Sequence, residues 1–179
     1  MAHVLKQTEE IPASYPSATG LSTAAAALDG DVLWQRIEAY TARRWTARNV
    51  VWIVEAKGGE CWEPPLSPVV SLSGACWNEN TLEWEAVTVV DHALGYILTF
   101  DATYKITASV GGGDLPAAVA EAFRRLAEYS TAHEDRAGVS QSTVTVGPIQ
   151  TSYSRNPAFM AKALINSGAA DLLRPYRRA

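Results

Sequence analysis

The stretch VVDHALGY sets Asp91 beside His92, a pairing that can orient an imidazole as the base for a nucleophile. No GxSxG elbow or similar setting supplies that nucleophile, so the pair reads as part of a turn. His3 and His133 lie far from it in sequence, and none of the three histidines has the HExxH or a comparable metal-ligand spacing. His133, in AHEDR, falls at the end of a predicted long helix, where the helix dipole favours a cation.

VGGGDLP has the order strand, glycines, helix start that cradles phosphate in anion loops. It lacks the Lys-Ser/Thr pair, Asp114 brings negative charge to the place of the anion, and Pro116 removes an amide donor. A hinge before a capped helix fits better. Glu83 and Glu85 alternate with Leu82, Trp84 and Ala86, the pattern of a half-exposed strand with a solvated carboxylate face. Cys61 and Cys76 lack CxxC spacing and read as reduced packing residues rather than a redox, zinc or disulfide pair. These readings predict no catalytic residues, no cofactor and no metal.

The elements around these residues follow from composition and period. A chain of 179 residues that is 47% apolar can bury one core. Charged residues make up 19%, below the roughly 25% of soluble domains, and six Trp with seven Tyr add large amphipathic surfaces, a balance that favours oligomers. MAHVLKQTEE has no basic region followed by an apolar run. No later stretch approaches the roughly 18 to 20 apolar residues of a membrane span, so a cytosolic protein is expected.

Residues 1–20 include IPASYPSATG and read as an extended arm or a disordered lead-in. Ser22 is an expected N-cap for a short alanine helix stopped by Gly30. Asp31 is expected to cap a second helix with Leu33, Ile37 and Tyr40 on one face. Between about 50 and 110 the period changes: VVWIVEA, VVSLSGACW, WEAVTVV, GYILTF and YKITASV read as antiparallel strands, with a loop at EPPLSP. A long helix is predicted over about 115–136, capped by Asp114, with Leu115, Val119, Phe123, Leu126 and Ser130 in a stripe and Glu121–Arg125 and Arg124–Glu128 pairs outside. The Ser/Thr-rich segment 138–156 reads as a long loop or loose hairpin. Asn156 and Pro157 then start a short helix that Gly168 ends. The expected class is α+β: a helical bundle framework, a domain over 21–167, with an inserted antiparallel sheet or hairpin region and a C-terminal docking tail over 168–179.

No helix carries a basic stripe, so no double-stranded DNA-binding motif is expected. In their order, RIEAYTARRW, WEPPLSPVVSLSG, DLPAAVAEAFRRLAEYSTAHEDR and ADLLRPYRRA resemble the head-tail connector, or adaptor, proteins of long-tailed double-stranded DNA phages and of gene transfer agents. The resemblance spans the chain from about Asp31 onward, without the arm or the Ser/Thr-rich segment. It implies a structural virion protein without catalytic activity, assembled in the host bacterial cytoplasm. Copies would form a ring beneath the portal, with its twelvefold symmetry, that extends the DNA channel without sequence-specific binding and receives a stopper or other tail-side protein.

The resemblance also gives DLLRPYRRA a role, since the family's C-terminal segment docks onto the portal. Leu172, Leu173 and Tyr176 would fill apolar pockets, Arg174, Arg177 and Arg178 would pair with portal acids, and Pro175 would restrict the segment before binding. A mildly acidic channel lining would let DNA pass without gripping its phosphates. Two alternatives stand beside this reading. One is a tail-terminator or stopper ring subunit, which is expected to be mainly β; the other is a small α+β enzyme or ligand-binding domain with the Trp-rich strands lining a pocket.

Overall fold

The computed structural model describes residues 2–131, 141–146, 149–154 and 160–178. The chain divides into two compact units, Met1–Pro16 with Ala42–Asp114, and Ser17–Thr41 with Leu115–Ala179. The class is α+β with antiparallel sheets.

The first unit is built of strands. A five-stranded sheet has the order β1-β2-β8-β4-β5, from β1 (His3–Glu9), β2 (Arg48–Ala56), β8 (Ala102–Val110), β4 (Val69–Asn78) and β5 (Glu83–Val87). A three-stranded sheet has the order β3-β7-β6, from β3 (Glu60–Trp62), β7 (Gly95–Leu98) and β6 (Val90–His92). Alternation along β2 points Val50, Trp52 and Val54 inward, where they meet Tyr104, Ile106 and Ala108 of β8 and Trp62, Leu66 and Leu98. Trp52 and Trp62 touch edge to face at 5.4 Å, joining the sheets across the core.

The N-terminal arm takes a specific form here. His3–Glu9 is an edge strand paired antiparallel to β2, with a bulge between Val4 and Lys6. Its side chains are exposed except that of Glu9, which is why HVLKQTE shows no apolar alternation. Gln7 accepts a hydrogen bond from the Trp52 indole at 2.8 Å. Glu9 is clasped by Arg44 Nη2 at 2.8 Å and Arg48 Nη1 at 3.0 Å. Partial burial alone would raise the Glu9 carboxyl; the hydrogen bonds and charge of Arg44, then those of Arg48, outweigh it and hold its pKa below the ordinary value. Two arginines of ARRWTAR thus have a structural task.

The glycine run also has a packing reason. Gly111 has φ +100°, and a Cβ there would lie 2.5 Å from the Thr46 carbonyl oxygen. Only glycine lets the two backbones approach so closely. Cys76 packs partly buried against the core. Cys61, expected as a packing residue, is exposed, and its thiol donates to the Leu94 carbonyl at 3.3 Å; the exposed alternation of short β3 places it outward.

In the second unit, α3 (Ala117–Thr131) packs with α1 (Thr23–Ala26), α2 (Gly30–Thr41), α4 (Ala163–Asn166) and α5 (Ala169–Leu173). Val119, Phe123 and Leu126 are buried as the stripe predicts, and Phe123 stacks on Trp34 of α2 at 4.8 Å. Since α1, α4 and α5 are about one turn each, the described residues do not form a bundle of full helices. In sequence β2 to β8 are inserted between α2 and α3, and together with β1, which precedes α1, they make a compact unit of their own.

Ser22 caps α1 as expected, accepting from the Ala25 N–H at 3.2 Å. Gly30 begins α2 instead of ending α1, and Asp29 rather than Asp31 supplies the capping oxygen, accepting from the Asp31 N–H at 3.0 Å. α3 starts after Pro116, whose carbonyl accepts the Val119 N–H at 2.9 Å, so Asp114 lies too early to cap it. The predicted Glu121–Arg125 pair forms at 2.8 Å. Arg124 turns to Glu121 as well, at 2.7 Å, because Glu128 binds the Ser22 N–H at 2.7 Å and hydroxyl at 2.8 Å. Hydrogen bonds from Arg124, then Arg125, hold the Glu121 carboxyl at about 2.

The segment 138–156 contains a hairpin, β9 (Gln141–Val146) with β10 (Ile149–Ser154), Val146 opposite Ile149. Alternating Thr and Val in STVTV suit a strand, which decides against the loop alternative. The Asn156–Pro157 helix start and His133 lie outside the described residues.

Candidate functional site: the C-terminal segment

Gly168, at φ 73°, ends α4 and opens α5, as its place after ALINS predicts. α5 runs over Ala169–Leu173 and continues as a 3-10 turn, Arg174–Tyr176, with Pro175 in its first positions, where its missing N–H is harmless. The turn closes where the Arg177 N–H donates to the Arg174 carbonyl at 3.3 Å.

The chain then lies against the end of α2. The Arg178 N–H donates to the Thr41 carbonyl at 3.2 Å, and the Arg177 guanidinium sits over the Tyr40 ring at 5.3 Å. Thr41 occupies the last turn of α2, so this contact satisfies one of the carbonyls that a helix end leaves without an intrahelical donor.

The residues singled out in the sequence separate by burial. Leu173 is fully buried, together with Ala169, on the side where α5 meets α3. Leu172, Tyr176 and Arg178 are half-buried; Arg174, Pro175 and Arg177 are exposed. The leucine pair therefore does two different jobs: Leu173 anchors the segment to its own unit, and Leu172 stands at its margin. What faces outward is a short, folded surface of Arg174, Pro175, Arg177 and part of Tyr176, suited to planar, charge-assisted contact with acids. Sequence reasoning missed Tyr40 and Thr41 as the floor beneath it; Tyr40 as the last member of the α2 apolar stripe was the available signal.

Elsewhere in the first unit, a cleft of about 620 Å³ is lined by His3, Glu55, Lys57, Glu60, Glu79 and Asp101, among others. Among the described residues no group of three His, Cys, Asp or Glu is placed to hold a metal ion, and no helix is long and apolar enough to cross a membrane. Asp91 and His92 stand on the exposed strand β6, where His92 Nδ1 accepts the Leu94 N–H at 3.3 Å as a turn lock.

No protein-family model matches the chain, and no curated protein matches it. Among solved structures it is similar to a chain in the virion of a native gene transfer agent (GTA) particle, with a TM-score of 0.50 and 18% identity over 84% of this chain and 75% of that one. It is also similar to a chain in the neck of an empty GTA particle, with a TM-score of 0.49 and 18% identity over 84% of this chain and 76% of that one. At such identity the likeness is one of fold.

Proposed function

We propose that the chain is a structural virion protein of the head-tail region, an adaptor whose copies form a ring between the portal and the stopper or tail and extend the DNA channel. The observation that carries this reading is the fold shared with a native GTA virion chain over most of both lengths. The order of RIEAYTARRW, the strand segments, the α3 segment and DLLRPYRRA supports the adaptor position. Twelve copies and a passage for DNA come from the same resemblance.

In this reading the C-terminal segment meets the portal through Arg174, Arg177 and Arg178, with Leu172, Pro175 and Tyr176 giving apolar contact. Leu173 holds the segment from beneath, and reaches a portal pocket only if α5 leaves its place on α3. A surface already folded loses less conformational entropy on binding than a free tail. The test is binding to an immobilised portal ring as a function of salt. Arg174→Ala, Arg177→Ala and Arg178→Ala together should weaken binding by at least about tenfold and flatten its salt dependence. Unchanged affinity and salt dependence would remove the segment from the interface.

A further inference from the structure

The β4–β5 hairpin ends in an arrangement that its own fold does not use. Leu82 is 68% exposed and has φ 56°, a left-handed conformation that costs a bulky residue roughly 1 kcal/mol or more. Asn78 holds the loop in this form. Its Oδ1 accepts from the Asn80 N–H at 2.8 Å and the Thr81 N–H at 3.3 Å, its carbonyl accepts from the Leu82 N–H at 2.9 Å, and its Nδ2 donates to Glu85 at 2.6 Å. A leucine is thus fixed in water by a stapled loop. Behind it Trp84, 38% exposed, stands edge-on to Trp77 at 5.2 Å. Glu79, Glu83 and Glu85 flank these residues in sequence, and no Lys or Arg occurs between Lys57 and Lys105.

We infer that this tip binds a second copy of the chain, on the basic and apolar surface that carries Met160, Lys162 and Ile165. Met160 and Ile165 are 39% and 68% exposed, and Lys162 is exposed beside them in sequence. Arg36 donates to the Met160 and Ala161 carbonyls, the latter at 3.1 Å, fixing the start of this turn and adding positive charge. Charge favours this occupant: the unit bearing the hairpin has six Lys and Arg against eleven Asp and Glu, while the unit bearing Ile165 has nine against eight. Unlike surfaces attract and like ones repel, so copies meet head to tail. A contact between unlike surfaces is heterologous, and repeated from copy to copy it closes into a ring or continues as a filament.

This inference deepens the ring of the proposed function and relies on that reading for its setting; the contact itself needs no portal. Sedimentation velocity of the full chain, over a concentration series in low and high salt, tests it. The expected result is concentration-dependent association that weakens as salt rises. Leu82→Gly relieves the left-handed strain, so the chain stays folded, yet association should fall by about tenfold. Glu83→Lys should also weaken it, and mixing that variant with Lys162→Glu should restore it. A wild-type chain that stays monomeric throughout, or a Leu82→Gly chain that associates as the wild type does, would overturn the inference. Portal binding by the wild-type chain, measured in parallel, reads the neck assignment separately: its absence would sink that assignment and leave the self-contact standing.

Discussion

The Arg177 guanidinium lies 5.3 Å from the centre of the Tyr40 ring, one residue before the Arg178 N–H meets the Thr41 carbonyl. The basic end of the chain is therefore seated on the last turn of α2 rather than trailing from α5. Tyr40→Ala removes a contact worth about 0.5–1 kcal/mol. The Arg178 amide should then exchange with solvent roughly two- to fivefold faster, with exchange in the α3 interior unchanged. Equal protection in both proteins would mean that Tyr40 does not hold the segment.

Leu172 and Leu173 should respond differently to truncation. Leu173→Ala opens a cavity where α5 meets α3 and should destabilise the helical unit by about 2–5 kcal/mol in urea unfolding. Leu172→Ala should cost about 1 kcal/mol or less. Portal binding should be more sensitive to Leu172 once each variant's folded fraction is taken into account.

Glu9 couples the edge strand to pH. Its pKa is lowered in the folded chain, so the stability it contributes is fully present above its ordinary value of 4.5 and is lost as pH falls through the lower folded value. Glu9→Gln leaves the Arg44 and Arg48 side chains, 11% and 3% exposed, without that carboxylate. The variant should lose roughly 2–4 kcal/mol at neutral pH and show a shallower decline in acid. Parallel acid limbs for the two proteins would count against the clasp.

Gly111→Ala should be among the most damaging single substitutions in the strand unit. The added Cβ would meet the Thr46 carbonyl, a backbone atom that cannot turn aside, in a backbone conformation unfavourable to any L side chain. A loss of at least about 2 kcal/mol is expected. Gly113→Ala, where a Cβ meets open space, should cost only its left-handed conformation, about 1 kcal/mol.

The sequence was most legible where one period dominates. Val119, Phe123 and Leu126 declare α3, and the alternation of Val50, Trp52 and Val54 declares β2. β1 was hidden because its side chains, Glu9 apart, face water and its hydrogen bonds go to a strand about forty-five residues away. The second sheet escaped because β3 and β6 are three residues each, too short to show a period. Caps at Asp31 and Asp114 were misplaced because neighbouring residues of equal capping chemistry, or a proline carbonyl, take the role. At the C-terminus the residue types pointed to a contact surface, but two adjacent leucines look alike until packing against α3 buries only the second.

The most direct measurement is the mass of the portal ring by light scattering behind a sizing column, alone and after mixing with the full chain. The account predicts a portal peak heavier by many copies of this chain, with the gain lost when residues 174–179 are removed and the truncated chain still folded. A portal peak of unchanged mass would contradict it.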